Sequence, residues 1–289
     1  MTDFLEQVIA ERRADVARAK VQVPEEALAS QARSRAVERR PPKYSLGDAR
    51  LGMGDAFTTA LRILHGRLGV IAEVKRQSPA LGTLNVAADP ATLALAYEAA
   101  GATAVSVLTE PRHWGGSLED LVAVRGAVRI PVLCKDVIVD EYQIVQAWAA
   151  GADAVLLIAE ALTDDELHRF IVRANTLGMG VLLEAHEPVA FGRAARAGAM
   201  VVGVNARNLR RPTEIDVGRV RQLHTFARDG QILVAESGIE SVDDARLLPA
   251  RVDAVLVGTA LMRSVDPTPL IQGIAAIRRG ATSAFTVRP

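Results

Sequence analysis

The chain has 289 residues, of which 49% are hydrophobic, and its 34 basic side chains balance 34 acidic ones. It therefore has ample apolar surface for a core but no net charge to attract nucleic acid or anionic lipid, and no segment reaches the roughly eighteen apolar residues of a membrane span. A single cysteine, Cys134, excludes an intramolecular disulfide, and the histidines lack the spacing of metal ligands. We expect a cytoplasmic protein with no metal, nucleic-acid or membrane partner.

The first 65 residues differ in pattern from the rest of the chain. They contain an amphipathic helix over about residues 3–20, a polar middle, and a second helical stretch, DAFTTALRILHGR, at 55–67. These residues include too few apolar side chains for a core of their own. We therefore predict one domain overall, in which residues 1–65 form a helical extension packed on a barrel formed by residues 66–289.

Short apolar runs rich in β-branched residues recur from residue 69 onward, at steps of roughly twenty to thirty-five residues, the length of a βα unit. The eight runs are GVIAEVK (69–75), AVSVLT (104–109), PVLCKD (131–136), AVLLIA (154–159), GVLLEA (180–185), VVGVN (201–205), ILVAES (232–237) and AVLVG (254–258). Three of the helical stretches between them end on a shared phrase, in which a Gly can cap the helix before the next strand. This pattern, without a GxGxxG after the first run, predicts an α/β fold, a closed (β/α)₈ TIM barrel, rather than an open doubly wound sheet.

Charged side chains lie within or at the tips of these apolar runs. Glu73 and Lys75 are two residues apart, so in a strand they point to the same face. Lys135, Glu184 and Glu236 also interrupt or end their runs, and a buried charge is costly unless it is paired or used. Because the carboxyl ends of barrel strands carry the active site, we predict that these five residues meet there. For Glu236, simple pairing with a lysine remains an alternative.

Seven ordered segments closely resemble those of the indole-3-glycerol phosphate synthases, the (β/α)₈ lyases of tryptophan biosynthesis. They are IAEVKRQSP, SVLTEPRHWGGSLEDL, PVLCKDVIV, LLEAHE, GVNARNL, VAESGI and VLVGTALMRS. The resemblance runs from about Asp55 to Arg263, and the helical arm before it is also similar to the family's N-terminal extension. It implies conversion of 1-(2-carboxyphenylamino)-1-deoxyribulose 5-phosphate into indole-3-glycerol phosphate, with loss of carbon dioxide and water and without a cofactor. The expected partner is a phosphorylated small molecule, and the expected assembly is a monomer or a weak homo-oligomer.

The resemblance also implies roles for the charged residues. Lys135 matches the general acid of ring closure, and Glu184 matches the carboxylate that stabilises the cationic intermediate. Glu73 and Lys75 match the couple that serves the dehydration, and Lys75 also matches the partner of the substrate carboxylate. The division of the last proton transfers among these lysines and Glu73 stays open at this stage. Asn205 and Glu236 complete the catalytic set, holding substrate hydroxyls and orienting the lysines.

The substrate phosphate is expected in the loops after the last two runs, where backbone amides and hydroxyls are available. The residues that match this site are Ser237, Gly238, Gly258 and Thr259, joined by Ser78 after the first run. Arg207 is expected nearby, as support for the loop or for the substrate.

The sequence departs from the family pattern where the substrate's aromatic ring is expected. Val137 and Trp114 stand where the family usually has Phe, which predicts a reshaped ring pocket, with ordinary loop packing as the alternative for Trp114. Two other functions remain open: a paralogue that acts on a related anilino-sugar phosphate in a secondary pathway, and a barrel that binds a phosphate ligand without turnover. We expect His113 and His186, beside the site, to be bystanders.

Overall fold

The computed structural model describes residues 3–30, 55–64, 66–84 and 89–279. In these ranges eight parallel strands follow one another around a closed barrel, in which β1 pairs with both β2 and β8. The strands are β1 (Gly69–Val74), β2 (Ala104–Leu108), β3 (Val132–Lys135), β4 (Ala154–Ile158), β5 (Gly180–Ala185), β6 (Val201–Asn205), β7 (Ile232–Glu236) and β8 (Ala254–Val257). The predicted TIM barrel is confirmed, and each predicted run agrees with its strand to within one residue at either end.

The strands read as continuous apolar runs because both of their faces are covered. Every residue of β1 and β5 is buried, and the pattern holds in the other strands except at Lys135, which ends β3 half-buried. The side chains on the outer face of the sheet pack against the surrounding helices, and those on the inner face fill the interior of the barrel. A charged side chain in such a strand must therefore meet a partner or open space at a strand end.

Residues 25–30 are helical and precede the barrel. Other helices precede the barrel or alternate with its strands. They are α1 (Phe4–Gln22), α2 (Ala56–Arg62), α3 (Pro90–Ala99), α4 (Leu118–Ala127), α5 (Glu141–Ala150), α6 (Asp164–Thr176), α7 (Pro188–Arg196), α8 (Arg219–Leu223), α9 (Val242–Arg246), α10 (Thr259–Arg263) and α11 (Thr268–Ala275). The glycines of the three shared phrases, Gly101, Gly151 and Gly198, have φ of 97°, 100° and 98°. These left-handed residues end α3, α5 and α7 as the sequence predicts, because glycine adopts this conformation without a side-chain clash.

Helix α1 lies against the barrel near the carboxyl ends of β2 and β3. The side chain of Asp3 caps its first turn by accepting a hydrogen bond of 2.8 Å from the Glu6 N–H. Arg12, in the middle of the helix, pairs with Asp136 directly after β3 at 2.8 Å. The Tyr142 hydroxyl of α5 donates to the carbonyl of Val23 at 2.7 Å, just beyond the end of α1. The proposed domain boundary at residue 65 stays a prediction, because residues 31–54 and 65 lie outside the described ranges.

Helix α2 covers the opposite end of the barrel. Its N-cap residue, Asp55, accepts a hydrogen bond of 2.7 Å from the Thr58 N–H. The buried side chains Phe57 and Leu61 face the barrel, and the helix contacts β5 and β7. A Cβ atom on Gly180, the first residue of β5, would lie 2.3 Å from an Asp55 carboxylate oxygen, so this close approach requires glycine. Helix α2 therefore covers the amino-terminal ends of β5 and β7.

Candidate active site

A cavity of about 260 Å³ opens at the carboxyl ends of the barrel strands. Every site residue predicted from the sequence lines it, except Ser78 and Glu236. Glu236 ends β7 directly behind the cavity wall, where one carboxylate oxygen lies 3.2 Å from the Lys135 Nζ. Ser78 is buried in a short hairpin that follows β1, formed by Gln77–Ser78 and Gly82–Thr83, and its side chain does not reach the cavity surface.

Glu73 joins the two lysines of the site. Its Oε1 lies 2.7 Å from the Lys75 Nζ, and its Oε2 lies 3.2 Å from the Lys135 Nζ. Burial opposes ionisation of Glu73, but the two ammonium groups outweigh this cost and lower its pKa to about 2. Glu73 in β1 and Lys75 directly after it thus point into one space, where they form an ion pair that lines the cavity.

Three carboxylates surround the Lys135 ammonium. Glu73 and Glu236 each approach it to 3.2 Å, and Glu184 Oε2 lies 4.0 Å away. Burial alone would lower the pKa of Lys135, but the carboxylates dominate and raise it above its usual value. The side chain is therefore protonated at neutral pH, and it lines the cavity.

Glu184 differs from Glu73 because the Lys135 ammonium is farther from it, at 4.0 Å, and no second ammonium pairs with it among the described residues. Burial, together with the neighbouring Glu236 carboxylate, raises its pKa well above the usual range of a glutamate. Its Oε1 accepts a hydrogen bond of 3.3 Å from the Asn205 side-chain amide, whereas its buried Oε2 has no hydrogen-bond partner among the described residues. That oxygen faces the Lys135 side of the cluster, so the site holds one carboxylate that favours a proton and one that is firmly ionised.

Asn205, the last residue of β6, has a defined side-chain orientation. Its Oδ1 accepts hydrogen bonds of 2.9 Å from the Arg207 backbone N–H and from the Ser237 hydroxyl. A backbone N–H can only donate, so the amide nitrogen must point the other way, towards Glu184. This side chain therefore connects the ends of β5, β6 and β7.

Two glycines make room for the buried carboxylates. A Cβ atom on Gly258 would lie 2.2 Å from Glu73 Oε1 and 2.9 Å from the Lys75 Nζ. A Cβ atom on Gly203, in β6, would lie 2.2 Å from Glu236 Oε1. Gly203 was not among the predicted residues, although it is the one residue without a side chain in the run VVGVN. Any side chain at either position would displace a carboxylate of the site.

The loops after β7 and β8 form one side of the cavity. Ser237 and Gly238 both adopt left-handed backbone conformations, with φ of 67° and 73°. Such a conformation is strained for serine and is held by its surroundings, here by the hydrogen bond to Asn205. Thr259 begins α10 on the same side, and Arg263, which sequence reasoning missed, also lines the cavity.

The loop after β6 is held by Arg207. The guanidinium group of Arg207 donates to the carbonyl of Pro212, which curls the loop back on itself. Burial lowers the pKa of this guanidinium, and the carboxylate of Glu73 opposes that effect. Leu209 and Ile215 of this loop line the cavity.

Helix α1 supplies an apolar wall that sequence reasoning did not find. Phe4, Leu5 and Val8 line the cavity, and the Phe4 ring meets the Trp114 ring edge-on with centroids 5.9 Å apart. Val137, which is only 4% exposed, lies in the same cavity lining. No local signal in the sequence could reveal this wall, because it depends on how a distant helix docks.

The buried carboxylate of Glu110 fixes the loop that carries Trp114. Glu110 accepts backbone N–H groups of three residues, including that of Trp114 at 3.1 Å. His113 bonds to Glu11 of α1 at 2.7 Å, outside the cavity.

Within the described residues, no group of three His, Cys, Asp or Glu side chains is arranged to hold a metal ion.

Comparisons with known proteins identify the family of this chain. The family model described as "Indole-3-glycerol phosphate synthase" matches residues 5–274. The chain belongs to the indole-3-glycerol phosphate synthase family. The synthase of Nocardioides sp. is 47% identical over 242 residues, which cover 82% of this chain and 93% of that protein. The synthase of Micrococcus luteus is 45% identical over 259 residues, covering 86% of this chain and 94% of that protein.

Solved structures of more distant proteins share the barrel alone. A thiamine phosphate pyrophosphorylase from Pyrococcus furiosus is 16% identical, with a TM-score of 0.54 over 74% of this chain and 96% of its own. The 3-hexulose-6-phosphate synthase of Salmonella typhimurium is 18% identical, with a TM-score of 0.56 over 72% of this chain and 97% of its own. In this chain a helix, α1, precedes the barrel. No helix in the described ranges has both the length and the apolar character needed to cross a membrane.

Proposed function

We propose that this protein is an indole-3-glycerol phosphate synthase, a decarboxylating carbon–carbon lyase of tryptophan biosynthesis. Its substrate is 1-(2-carboxyphenylamino)-1-deoxyribulose 5-phosphate, and its products are indole-3-glycerol phosphate, carbon dioxide and water. The observation that carries the proposal is the Lys135 ammonium, held among Glu73, Glu184 and Glu236 beside an open cavity in a chain of this family.

Lys135 is the acid of ring closure in this proposal. The ring carbon that bears the carboxylate attacks the ketone of the sugar chain, and the ketone oxygen takes a proton from Nζ as the new bond forms. The carboxylates around Lys135 keep it protonated before the reaction and hold it in place. Loss of carbon dioxide then returns the bonding electrons to the ring and restores its aromaticity.

Glu184 stabilises the positive charge that develops on the ring and its nitrogen between closure and decarboxylation. Its position in a buried site strengthens this interaction, because little water screens it. The amide of Asn205 favours the ionised form of Glu184 and opposes the effect of burial. The positive charge of the intermediate also favours the ionised form of Glu184, so the negative charge on Glu184 is most favoured when the intermediate is present.

We assign the final dehydration to the Glu73–Lys75 couple. The new hydroxyl leaves as water after gaining a proton, and a proton is lost from the neighbouring carbon to form the indole double bond. Glu73 is ionised and can accept a proton, and Lys75, 2.7 Å away, can donate one. Both groups lie beside Gly258, which has no side chain to displace them.

The two ends of the cavity suit the two ends of the substrate. We assign the phosphate to the loops after β7 and β8, at Ser237, Gly238, Gly258 and Thr259, with Arg207 nearby as support. The hydroxyl and amide groups there are the usual partners of a phosphate at the last two strands of a barrel. The aromatic ring occupies the opposite, apolar end, against Trp114 and Val137. Ser78 then supports the hairpin after β1 instead of binding the phosphate itself, because it does not line the cavity.

We further propose that the protein acts in the cytoplasm, as a monomer or weak homo-oligomer and without a nucleic-acid partner. Its equal numbers of acidic and basic residues support the last point, since a neutral chain does not concentrate polyanions at its surface. We also propose that residues 1–65 and the barrel act as one domain, because α1 contributes to the cavity wall.

The direct test is turnover of the proposed substrate by the purified protein, followed by the fluorescence of the indole product. We expect product to form in the absence of any added cofactor, with Lys135→Ala as the inactive control. A protein that binds the substrate but forms no indole would be a non-catalytic barrel, and one that converts only a related anilino-sugar phosphate would be a paralogue. Either result would overturn the proposed reaction.

A further inference from the structure

His186 follows β5 directly and is buried, with only 6% of its surface exposed. Its Nδ1 lies 2.8 Å from the backbone carbonyl oxygen of Asn205. A carbonyl oxygen can only accept a hydrogen bond, so Nδ1 must carry the hydrogen. The sequence-based expectation treated His186 as a bystander, but this bond connects it to the polar network of the site.

The chain leaves the sheet at His186, so the backbone N–H groups there no longer bond to β6. The imidazole supplies a donor to β6 instead. The backbone N–H groups of His186 and Glu187 both donate to Glu160 Oε1, at 2.7 and 2.8 Å. Glu160 lies in the turn after β4, so these two donors point away from β6. The imidazole Nδ1–H donates to β6 in their place and satisfies the Asn205 carbonyl, which would otherwise lack a donor from this side.

The Asn205 side chain transmits this restraint to three strand ends. It donates to Glu184 at 3.3 Å and accepts from the Ser237 hydroxyl and the Arg207 N–H at 2.9 Å. Glu184 belongs to the charged cluster around Lys135, and Ser237 belongs to the loop assigned to the phosphate. A small shift of the Asn205 backbone would therefore move groups at both ends of the cavity.

We propose that His186 is a positioning residue for the reaction, which it serves by fixing the backbone of Asn205 through its Nδ1–H. The imidazole does not reach the substrate. It acts through Asn205, whose amide holds the Glu184 carboxylate and the Ser237 hydroxyl in register. The kinetic part of the test rests on the proposed function, whereas the proton position on the imidazole can be measured without any turnover.

Two substitutions separate the role of Nδ1 from that of the rest of the ring. In His186→Asn the amide nitrogen can occupy the place of Nδ1 and keep the bond to Asn205, whereas in His186→Gln the amide reaches the place of Nε2 and the bond is lost. We expect kcat of His186→Asn to stay within about threefold of the wild type and kcat of His186→Gln to fall about tenfold or more, the scale of one buried hydrogen bond. His168→Gln, at an exposed position on α6, is the control for loss of a histidine.

Thermal unfolding of each variant shows whether a kinetic change reflects a general loss of structure. Equal melting temperatures for the Asn and Gln variants, with unequal kcat, support the positioning role. Equal loss of kcat in both variants, or wild-type kcat in His186→Gln, would overturn it.

The native protein provides a second measurement that does not depend on a variant folding. Long-range proton–nitrogen NMR correlations distinguish a protonated from an unprotonated Nδ1, and the signals of His186 can be identified after replacing each of the other four histidines in turn. A hydrogen on Nδ1 supports the proposal, and an unprotonated Nδ1 overturns it. If the wild type shows no turnover, the proposed reaction fails while this measurement still decides the state of His186.

Discussion

Lys75 and Lys135 balance only two of the three carboxylates of Glu73, Glu184 and Glu236. The net charge of this cluster therefore depends on whether one of the carboxylates carries a proton. Glu73 is ionised because both ammonium groups contact it, and its pKa is lowered to about 2. Glu184 has the opposite tendency, because burial and Glu236 raise its pKa. The two environments push the pKa values of the two carboxylates apart, which allows neighbouring carboxylates to take different roles in one site.

Lys135→Ala removes the proposed acid of ring closure. We expect kcat to fall by about a hundredfold to ten-thousandfold, because proton transfer from a positioned group contributes on that scale. Circular dichroism would show an intact barrel, and Lys20→Ala, which removes a half-exposed lysine of α1, should leave kcat unchanged. A Lys135→Ala enzyme within tenfold of the wild type would mean that another group donates this proton.

Val137→Phe tests the proposed ring end of the cavity. Val137 is buried, lines the cavity, and has its backbone held by Asp136 and Gln143. A phenylalanine there adds an aromatic contact of about 1 kcal/mol, equivalent to about fivefold tighter binding of the unsubstituted substrate. The measurement is kcat/KM for the parent substrate and for a ring-methylated analogue. If the ratio between the two substrates is the same in both proteins, residue 137 does not contact the ring.

At the scale of elements, the barrel positions the charges and α1 completes the cavity. Strand ends place the charged groups because parallel strands all end on one side of the sheet. The apolar wall comes instead from Phe4, Leu5 and Val8, and its position depends on polar contacts along the helix. One of these contacts is the ion pair of Arg12 with Asp136, the residue directly after Lys135. The pair is buried, because only 11% of the Arg12 side chain and 7% of the Asp136 side chain are exposed.

Arg12→Leu should destabilise the protein because it leaves Asp136 buried without a cation. The expected loss is about 3–5 kcal/mol in the free energy of unfolding, measured with urea. Adding Asp136→Asn should restore much of this stability, since the neutral amide no longer needs a charge partner. Arg18→Leu removes an exposed partner of Asp15 and should cost less than about 1 kcal/mol. Equal losses for Arg12→Leu and Arg18→Leu would show that the buried pair has no special weight.

The elements that were predictable from sequence are those with local periodic signals. Apolar runs such as 180–185 and 201–205 coincide with β5 and β6 because continuous burial leaves a continuous apolar pattern. Helix α1 was expected at 3–20 and extends over Phe4–Gln22, but its place in the cavity wall was not predictable. Docking of Phe4 beside Trp114 depends on contacts between distant segments, which no short window of sequence encodes. The hairpin that withdraws Ser78 from the cavity was missed for the same reason.

Across the whole molecule, the buried charges couple stability to pH. Glu73 has a folded-state pKa of about 2, against about 4.5 when unfolded, so folding favours its charged form. Its contribution is therefore complete above about pH 4.5 and is lost as the pH falls towards 2. We expect the difference in unfolding free energy between the wild type and Glu73→Gln to be large at about pH 7 and to shrink at about pH 3.

Urea unfolding at both pH values measures this difference, with Glu214→Gln at an exposed position as the control. A difference that is the same at both pH values would mean that Glu73 gains nothing from its charge in the folded state.

The cavity wall formed by α1 has a consequence for the order in which the enzyme is made. Phe4 is translated before every strand of the barrel, whereas Gly258 and Thr259, which line the same cavity, are translated after nearly all of it. The cavity that α1 lines is therefore incomplete until β8 closes against β1. During that interval Phe4, Leu5 and Val8 lack the part of their final surroundings that the last strands supply, and incompletely covered apolar surface promotes aggregation. Slow translation of the second half of the chain would lengthen this exposure without changing a single contact of the finished protein.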